Sequence, residues 1–464
     1  MYEIALHLDA HREKTLYEQI YEYLKAEIQK GAIRGGERLP STRMLASRLE
    51  VSRSTVLLAY EQLLSEGYVE TAPYKGYFVC QVGELYHLEP AGPEEPERGR
   101  GNGKTYKYDF SPNGVDLEHF PYAVWRKLNR EVLQESEKEL LRLGDARGEA
   151  ALRNAIGNYL HQARGVQVHP SRIVIGAGND YLLMLLSRLL GPEHRIAMES
   201  PTYRHAYEVF RSLGYACVTV PMDRQGMDVR TLGESGADVA YVMPSHQFPL
   251  GTVMPIRRRQ ELLEWAKERS ERYIIEDDYD SEFRYVGKPV PALQGIDGSQ
   301  KVIYMGTFSK SIAPAIRISY LVLPPMLAEQ YERVGRNFSC TVSRTDQKML
   351  QLFMERGYFE RHLNRMRALY KSRHDVLLAK LKAVQGVRRV LGERAGVHLL
   401  LEFSPDRTEE ELVEQAACQG VRVYPLSEYC IGEKPHAPTV LLGYADMGEE
   451  QIGDAAELLV RAWN

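Results

Sequence analysis

The chain has 464 residues, of which 44% are hydrophobic and 26% charged, so we expect a globular protein with two or three domains. No apolar run approaches a membrane span, and residues 1–10 lack the pattern of a signal peptide, which predicts a cytoplasmic protein without membrane contact. A net charge of −4 and five scattered cysteines exclude a strongly basic nucleic-acid binder, a disulfide framework and a cysteine metal site.

Residues 1–80 have the pattern of a small helical domain followed by two strands. Thr15 and Glu18 form a capping box at the start of a first helix. Ser41 and Ser52 are placed to cap a second and a third helix, joined by a short turn. Residues 68–79 predict two strands that form a wing. A winged helix-turn-helix is therefore predicted, although a generic three-helix bundle would explain the apolar spacing equally well.

The outward residues of this domain favour DNA binding. Short donors and arginines at the first turns of the second and third helices suit phosphates and base edges. The segments LPSTRMLA (39–46) and VSRSTV (51–56) are similar to the GntR-family signature. By that resemblance Arg43, Arg53 and Thr55 contact DNA, and Lys75 with Gly76 forms a wing tip in the minor groove. The candidate DNA-binding residues are Arg43, Ser52, Arg53, Ser54, Thr55, Lys75 and Gly76.

The charge of residues 1–80 bears on how the protein would bind DNA. They carry 10 Lys or Arg against 11 Asp or Glu, so one module should bind weakly and a homodimer should be needed for affinity. Residues 81–107 are rich in proline and glycine and predict a flexible linker. Whether the dimer exchanges its DNA-binding domains is left open by the sequence.

The rest of the chain, residues 108–464, alternates short apolar runs with helical segments. This pattern predicts an α/β domain with a mainly parallel, seven-stranded sheet in a large lobe of about 108–325. A smaller C-terminal α/β lobe is expected at about 326–464. The predicted strands of the sheet are residues 173–175, 196–198, 217–220, 239–242, 273–275, 302–305 and 318–323.

A lysine between the last two of these strands is the first candidate for chemistry. Lys310 follows Thr307 and Ser309, and Arg317 comes seven residues later. A partly desolvated lysine can form an imine with an aldehyde cofactor, while the two hydroxyls and the arginine can bind its phosphate. A lone Ser-Lys pair is more often an ordinary surface feature.

An acidic cluster follows the strand at 273–275, at the sheet edge where open α/β sheets bind ligands. Asp277 could keep a pyridine nitrogen protonated, and Tyr279 could reach the oxygen of the same ring. Taken alone, the four carboxylates of residues 276–280 would equally indicate a magnesium site or a solvated loop.

The order of these motifs resembles one family. The segments IEDDYDSEF (275–283) and MGTFSK (305–310) are similar to those of the MocR/GabR-like subfamily of GntR transcription regulators. The resemblance implies a winged helix fused to a pyridoxal phosphate-dependent aminotransferase fold of type I, with no metal. It assigns the Schiff base with pyridoxal 5'-phosphate to Lys310, the pyridine nitrogen to Asp277, the ring hydroxyl to Tyr279 and the phosphate to Arg317.

Two more cofactor contacts are predicted. Gly178 and Asn179 follow a strand and open a helix, where free backbone amides can bind a second side of the phosphate. The resemblance also implies that Tyr203 stacks on the pyridine ring.

The sequence departs from the family pattern at positions where residues that bind the ring oxygen, the substrate or the effector are expected. Phe248 stands where many aminotransferases have an asparagine, and leucines occupy residues 441–442, where a carboxylate-binding arginine is expected. In GABA-responsive relatives, arginines stand at the positions of His205 and Glu428. We therefore expect an effector other than GABA, and Glu428 could meet an ammonium group.

Three hypotheses follow. In the favoured one, the protein is a regulator that binds operator DNA and senses an amine, an amino-acid-like molecule or the cofactor itself. In the second it is a working aminotransferase with a fused DNA-binding domain. In the third the pocket is vestigial and the domain is a cofactor-free scaffold.

Overall fold

A computed structural model describes residues 6, 8–9, 14–81, 105–432, 435 and 437–464, without the side chain of Arg336. The chain divides into two compact units, Met1–Gly103 and Lys104–Asn464. The predicted linker, residues 81–107, lies largely outside the described residues.

The first unit is a three-helix domain with a hairpin. Ser41 Oγ accepts a hydrogen bond from the Met44 amide at 3.2 Å, and Ser52 Oγ accepts one from the Thr55 amide at 3.1 Å. These bonds satisfy free amides at the starts of the second and third helices, so both predicted caps are confirmed. The elements are α1 (Leu16–Gln29), α2 (Thr42–Arg48), α3 (Arg53–Ser65), β1 (Val69–Ala72) and β2 (Gly76–Val79).

Apolar side chains from all of these elements share one core. Ile20 and Leu24 of α1, Leu45 of α2, Val56 of α3 and Val69 of β1 are almost fully buried together. The exposed residues at the starts of these helices are Arg43 and Met44 of α2 and Arg53 and Ser54 of α3.

In its described residues, the second unit contains an eight-stranded sheet, a four-stranded sheet and a two-stranded sheet, with their covering helices. Across the described ranges, no helix combines the length and the hydropathy needed to cross a membrane. The strands are β3 (Tyr108–Asp109), β4 (Ile173–Gly176), β5 (Arg195–Ser200), β6 (Ala216–Asp223), β7 (Gly226–Met227), β8 (Val239–Val242), β9 (Tyr273–Asp278), β10 (Val302–Thr307), β11 (Ser319–Val322), β12 (Val387–Leu391), β13 (His398–Phe403), β14 (Val421–Arg422), β15 (Tyr424–Pro425) and β16 (Thr439–Gly443). The helices are α4 (Tyr122–Val132), α5 (Ala150–Arg164), α6 (Asn179–Leu190), α7 (Arg204–Ser212), α8 (Val229–Glu234), α9 (Ile256–Lys267), α10 (Pro325–Val334), α11 (Arg344–Glu355), α12 (Tyr358–Leu381), α13 (Glu409–Cys418) and α14 (Glu449–Trp463).

The large sheet has the strand order β4-β11-β10-β9-β8-β5-β6-β7. Strands β10, β9, β8, β5 and β6 are parallel, whereas β11 and β7 run antiparallel to their neighbours. All seven predicted strands are confirmed. Strand β7, which was not predicted, has only two residues and therefore no periodicity to detect.

The C-terminal lobe is built on an antiparallel sheet in the order β12-β13-β16-β15. Strand β3 pairs with β14 of the same lobe, and Tyr108 and Phe110 are buried in its core. The lobe therefore takes its first strand from the start of the unit rather than from residues after 325.

The parallel strands determine where a ligand would sit. Strands β5, β8, β9 and β10 end at the same edge of the large sheet, and the loops that follow them converge there. Open α/β sheets bind their ligands at this edge.

Candidate functional site

A cavity of about 240 Å³ opens at the carboxyl edge of the large sheet. Residues from the loops after β4, β5, β9 and β10 line it, so segments more than 100 residues apart in sequence meet in one place. The predicted residues found in its wall are Asn179, Tyr203, His205, Asp277, Tyr279, Thr307, Ser309, Lys310 and Arg317.

Lys310 lies in the wall with its amine close to two backbone carbonyls. Its Nζ donates to the oxygen of Pro112 at 2.7 Å and lies 3.4 Å from that of Gly114. Burial lowers the pKa of the Lys310 ammonium to about 8, although Asp280 and Asp446 oppose this shift. A useful fraction of the amine is therefore neutral and nucleophilic close to neutral pH.

Asp277 presents an unpaired carboxylate oxygen in the same cavity. Its side chain is buried, and Oδ2 accepts a hydrogen bond from the Tyr241 hydroxyl. The other oxygen, Oδ1, is buried without a partner. Burial raises the pKa of Asp277 to about 7, with the Tyr241 bond acting in the opposite direction. A cationic N–H group would supply the missing partner, as a protonated pyridine nitrogen does.

The other three carboxylates of the acidic cluster face elsewhere. Two backbone amides of the loop before residue 295 donate to Glu276, at 2.7 and 2.9 Å. Arg164 Nε donates to Asp278 at 2.9 Å, and Asp280 lies 2.8 Å from His246 Nδ1. Successive side chains of a strand point to opposite faces, which separates these groups. Within the described ranges no set of His, Cys, Asp and Glu is arranged for a metal ion.

Tyr279 is held by a pair that sequence reasoning missed. Its hydroxyl lies 3.0 Å from His246 Nδ1, and the two rings stack with centroids 5.9 Å apart. Because Asp280 binds the same nitrogen, the histidine is fixed in orientation and fixes Tyr279 in turn. His246 lies two residues before Phe248 in the segment PSHQFP (244–249), and this histidine is the signal that could have identified the contact.

A glycine and an arginine form one end of the cavity. Gly178 precedes α6 with φ of 91° and ψ of 169°, and a Cβ atom there would overlap the Arg317 guanidinium. Arg317 Nη2 lies 3.4 Å from Asp180 Oδ2 and 3.4 Å from the Ala177 carbonyl. The arginine therefore lies over the free amides at the start of α6, where an anion is favoured.

Two hydroxyls complete this end. Thr307 Oγ1 accepts from the Ser309 amide at 3.2 Å and from Ser319 Oγ at 2.9 Å, and it lies 3.1 Å from Ser309 Oγ. Together with Arg317 and the α6 amides, they make a donor-rich pocket that suits a phosphate group.

The middle of the cavity is aromatic. Tyr203 and Phe248 contact edge to face, with ring centroids 6.1 Å apart. Burial raises the pKa of Tyr203 to about 12, so its hydroxyl stays protonated. Phe248 is almost fully buried and brings no polar atom to the site, as its sequence position indicated.

The two candidate effector residues lie in different surroundings. His205 lines the cavity, but its Nε2 lies 2.7 Å from Asp180 Oδ1. Glu428 is exposed and is not among the described lining residues.

In the first unit, the predicted DNA-binding residues lie at three positions. Arg43 is exposed on the first turn of α2, and Arg53 and Ser54 are exposed on that of α3. Arg53 Nε donates to Thr42 Oγ1 at 3.3 Å, which holds its guanidinium between the two helices. The turn between β1 and β2 carries Lys75 and Gly76, with φ of 104° at the glycine. Ser52 caps α3, and Thr55 is half-buried in its first turn.

Comparisons with known proteins agree with both units. Residues 16–79 match the family of bacterial regulatory proteins described as the gntR family, and residues 107–459 match aminotransferase class I and II. The chain is 34% identical to the probable rhizopine catabolism regulatory protein MocR of Rhizobium meliloti, over 98% of this chain and 95% of that protein. The chain belongs to the MocR-type GntR transcription regulators.

Two further matches of this MocR-type regulator concern the whole chain and the second unit. It is 39% identical to YdeL, described as an uncharacterized HTH-type transcriptional regulator of Bacillus subtilis, over 97% of this chain and 96% of that protein. The crystal structure of the multiple substrate aminotransferase from Thermococcus profundus superposes on this protein with a TM-score of 0.69. The match covers 78% of this chain and 92% of that one, with 27% sequence identity. The second unit therefore has the fold of type I aminotransferases. Its homologues with this fold depend on pyridoxal phosphate.

Proposed function

We propose that this MocR-type regulator binds pyridoxal 5'-phosphate at Lys310 and uses it to control the binding of operator DNA. The effector is a small amine or amino-acid-like molecule, or the cofactor itself, and the protein acts as a cytoplasmic homodimer. One observation carries the proposal: a lysine with a lowered pKa and a buried carboxylate with an unpaired oxygen line the same cavity.

The donors in the cavity fit the parts of this cofactor. The Lys310 amine would attach to its aldehyde carbon, and Asp277 Oδ1 would pair with its ring nitrogen. Tyr203 would cover the ring face, and Tyr279 would reach the ring oxygen. The phosphate would take the pocket of Arg317, the α6 amides and the two hydroxyls. When bound, the cofactor supplies an electrophilic carbon conjugated to an electron-withdrawing ring.

Lys310 also connects the site to the C-terminal lobe. Its Nζ donates to the carbonyl of Pro112, in the segment that follows β3, and β3 pairs with β14 of the lobe. With the cofactor attached, Lys310 Nζ would be held at the aldehyde carbon, and an effector amine that took its place would leave Nζ free to bind these carbonyls. Exchange at one amine thus changes the hydrogen bonds of a segment anchored in the other lobe, which is a physical route to a conformational signal.

A transaminase remains the second candidate, because the groups that would hold the cofactor are all in the cavity. Catalysis on amino acids additionally requires a cation that orients the substrate carboxylate. Leu441 and Leu442 of β16 are fully buried apolar residues, and they leave the strand without such a group. This observation favours the sensor.

DNA-binding measurements test the proposal. An operator fragment is selected from a random library, and its affinity is measured by fluorescence anisotropy with and without pyridoxal phosphate and amines. We expect cofactor or amine to change the affinity of the unmodified protein and of Lys301→Ala, whose lysine lies just before β10 and binds the Ser270 carbonyl. Lys310→Ala should bind DNA without any response. An equal response in Lys310→Ala, or steady turnover of an amino acid and a keto acid, would contradict the sensor.

A further inference from the structure

The positively charged side chains of the cavity are both assigned to the cofactor. The described residues that line the cavity include one lysine, Lys310, and one arginine, Arg317. Lys310 is the attachment point of the cofactor, and Arg317 lies beside Asp180 over the start of α6. Neither cation is therefore available to a second anion elsewhere in the cavity.

The two histidines among the described lining residues, His205 and His398, do not supply a further positive charge for an anion. His205 is paired with Asp180. His398 donates its Nε2 proton to the Pro249 carbonyl at 2.7 Å, and burial lowers the pKa of its ring to about 3. His398 is therefore neutral at physiological pH, with its outer N–H group already used.

Met243, Phe248 and Val397 give the cavity an apolar stretch of wall. Leu441 of β16, Leu400 of β13 and Phe248 pack in one buried cluster with the large sheet. Phe248 also contacts His398, with ring centroids 5.3 Å apart. A carboxylate placed against these groups would lose its hydration and gain no charged partner, which is costly.

We propose that the effector of this regulator is a primary amine that carries no carboxylate beside its amino group. This inference rests on the proposed function and specifies its ligand. An apolar or aromatic body fits the wall of Phe248, Met243 and Tyr203, and the amino group does the chemistry. The effector nitrogen would form a C=N bond to the cofactor's aldehyde carbon, the C=N bond from Lys310 Nζ to that carbon would break, and the two N–H protons given up by the effector amine would pass to Lys310 Nζ, which leaves as a free amine. The exchange needs no oxidant and no further reactant.

Matched ligand pairs on the unmodified protein test the inference. The protein loaded with pyridoxal phosphate is titrated with 2-phenylethylamine against phenylalanine and with isobutylamine against valine, and the absorbance of the bound cofactor is followed. Each pair differs only in the carboxylate. We expect each amine to bind at least ten-fold more tightly than its amino acid. Equal or tighter binding of the amino acids, or no response to either amine, would overturn the inference.

A gain-of-function variant tests whether the lack of a free cation explains the preference for amines. Leu441→Arg places a cation on β16, in the buried cluster that contains the lining residue Phe248, and should shift the preference in each pair toward the amino acid by at least ten-fold. Met326→Arg adds the same charge on α10, at an exposed residue that is not among the described residues lining the cavity, and should keep the preference of the unmodified protein. Far-ultraviolet circular dichroism and cofactor absorbance show which variants fold. If Leu441→Arg does not fold, the matched pairs still decide.

The outcomes separate this inference from the proposed function. A protein that never acquires the cofactor absorbance contradicts the proposed function itself. A protein that acquires it and then prefers amino acids contradicts only the identity of the effector.

Discussion

The two ends of helix α6 provide a controlled test of the phosphate pocket. Gly178 precedes the helix with φ of 91° and ψ of 169°, and Gly191 follows it with φ of 87° and ψ of 157°. A Cβ atom at Gly178 would overlap Arg317, whereas at Gly191 the nearest atom is Glu193 Oε1 at 3.9 Å. Alanine therefore imposes the same backbone strain at both ends but displaces the arginine at one end only.

The expected magnitudes follow from this difference. Both glycines occupy a backbone region that alanine enters at a cost of about 1–3 kcal/mol, so Gly178→Ala and Gly191→Ala should lose similar stability. Only Gly178→Ala should also lose a charge-assisted hydrogen bond from Arg317 to phosphate, worth about 1.5–3 kcal/mol. That loss corresponds to roughly ten-fold to a hundred-fold weaker cofactor binding.

Two assays separate the effects. Denaturant unfolding of the cofactor-free protein gives the free energy of unfolding, and absorbance titration with pyridoxal phosphate gives the dissociation constant. Cofactor affinity in Gly178→Ala equal to that of the unmodified protein, or an equal loss in Gly191→Ala, would refute the placement of the phosphate.

Three further predictions concern single residues. The neutral amine of Lys310 is the nucleophile, and the pKa of this lysine is about 8. The rate of cofactor binding, measured by stopped-flow absorbance, should therefore rise with pH through about 8 and then level off. A rate that does not depend on pH between 7 and 9 would contradict this prediction. Asp277→Asn removes the charge opposite the ring nitrogen and should weaken cofactor binding about ten-fold or more by titration, whereas unchanged affinity would place the ring elsewhere. Arg53→Ala should weaken operator binding about ten-fold at fixed salt. The control is Arg230→Ala, which removes an exposed arginine of α8 paired with Glu234 and should leave operator binding unchanged. Equal affinities for both variants would show that α3 does not read the operator.

The parts of the fold that were predictable have strong local signals. Six of the seven predicted strands of the large sheet are buried apolar runs, and β6 is the partly exposed exception. Ser41 and Ser52 mark the starts of their helices by capping. Strands β3 and β7 have two residues each and depend on their partners rather than on their own pattern.

The supporting contacts of the site were less accessible, because they join residues distant in sequence. Tyr241 donates to Asp277 from a neighbouring strand, and His246 reaches Tyr279 across 33 positions. Lys310 meets Pro112 across 198 positions. A periodic pattern or a short motif identifies the residues that bear the chemistry, but the neighbours that orient them are set by the sheet order.

The most direct test of the central claim is chemical trapping. The protein is incubated with pyridoxal phosphate, reduced with borohydride, digested and mapped by mass spectrometry. We predict that the cofactor mass is found on the peptide containing Lys310 and is absent from Lys310→Ala. Recovery of the mass on another lysine, or on no peptide at all, would contradict the account.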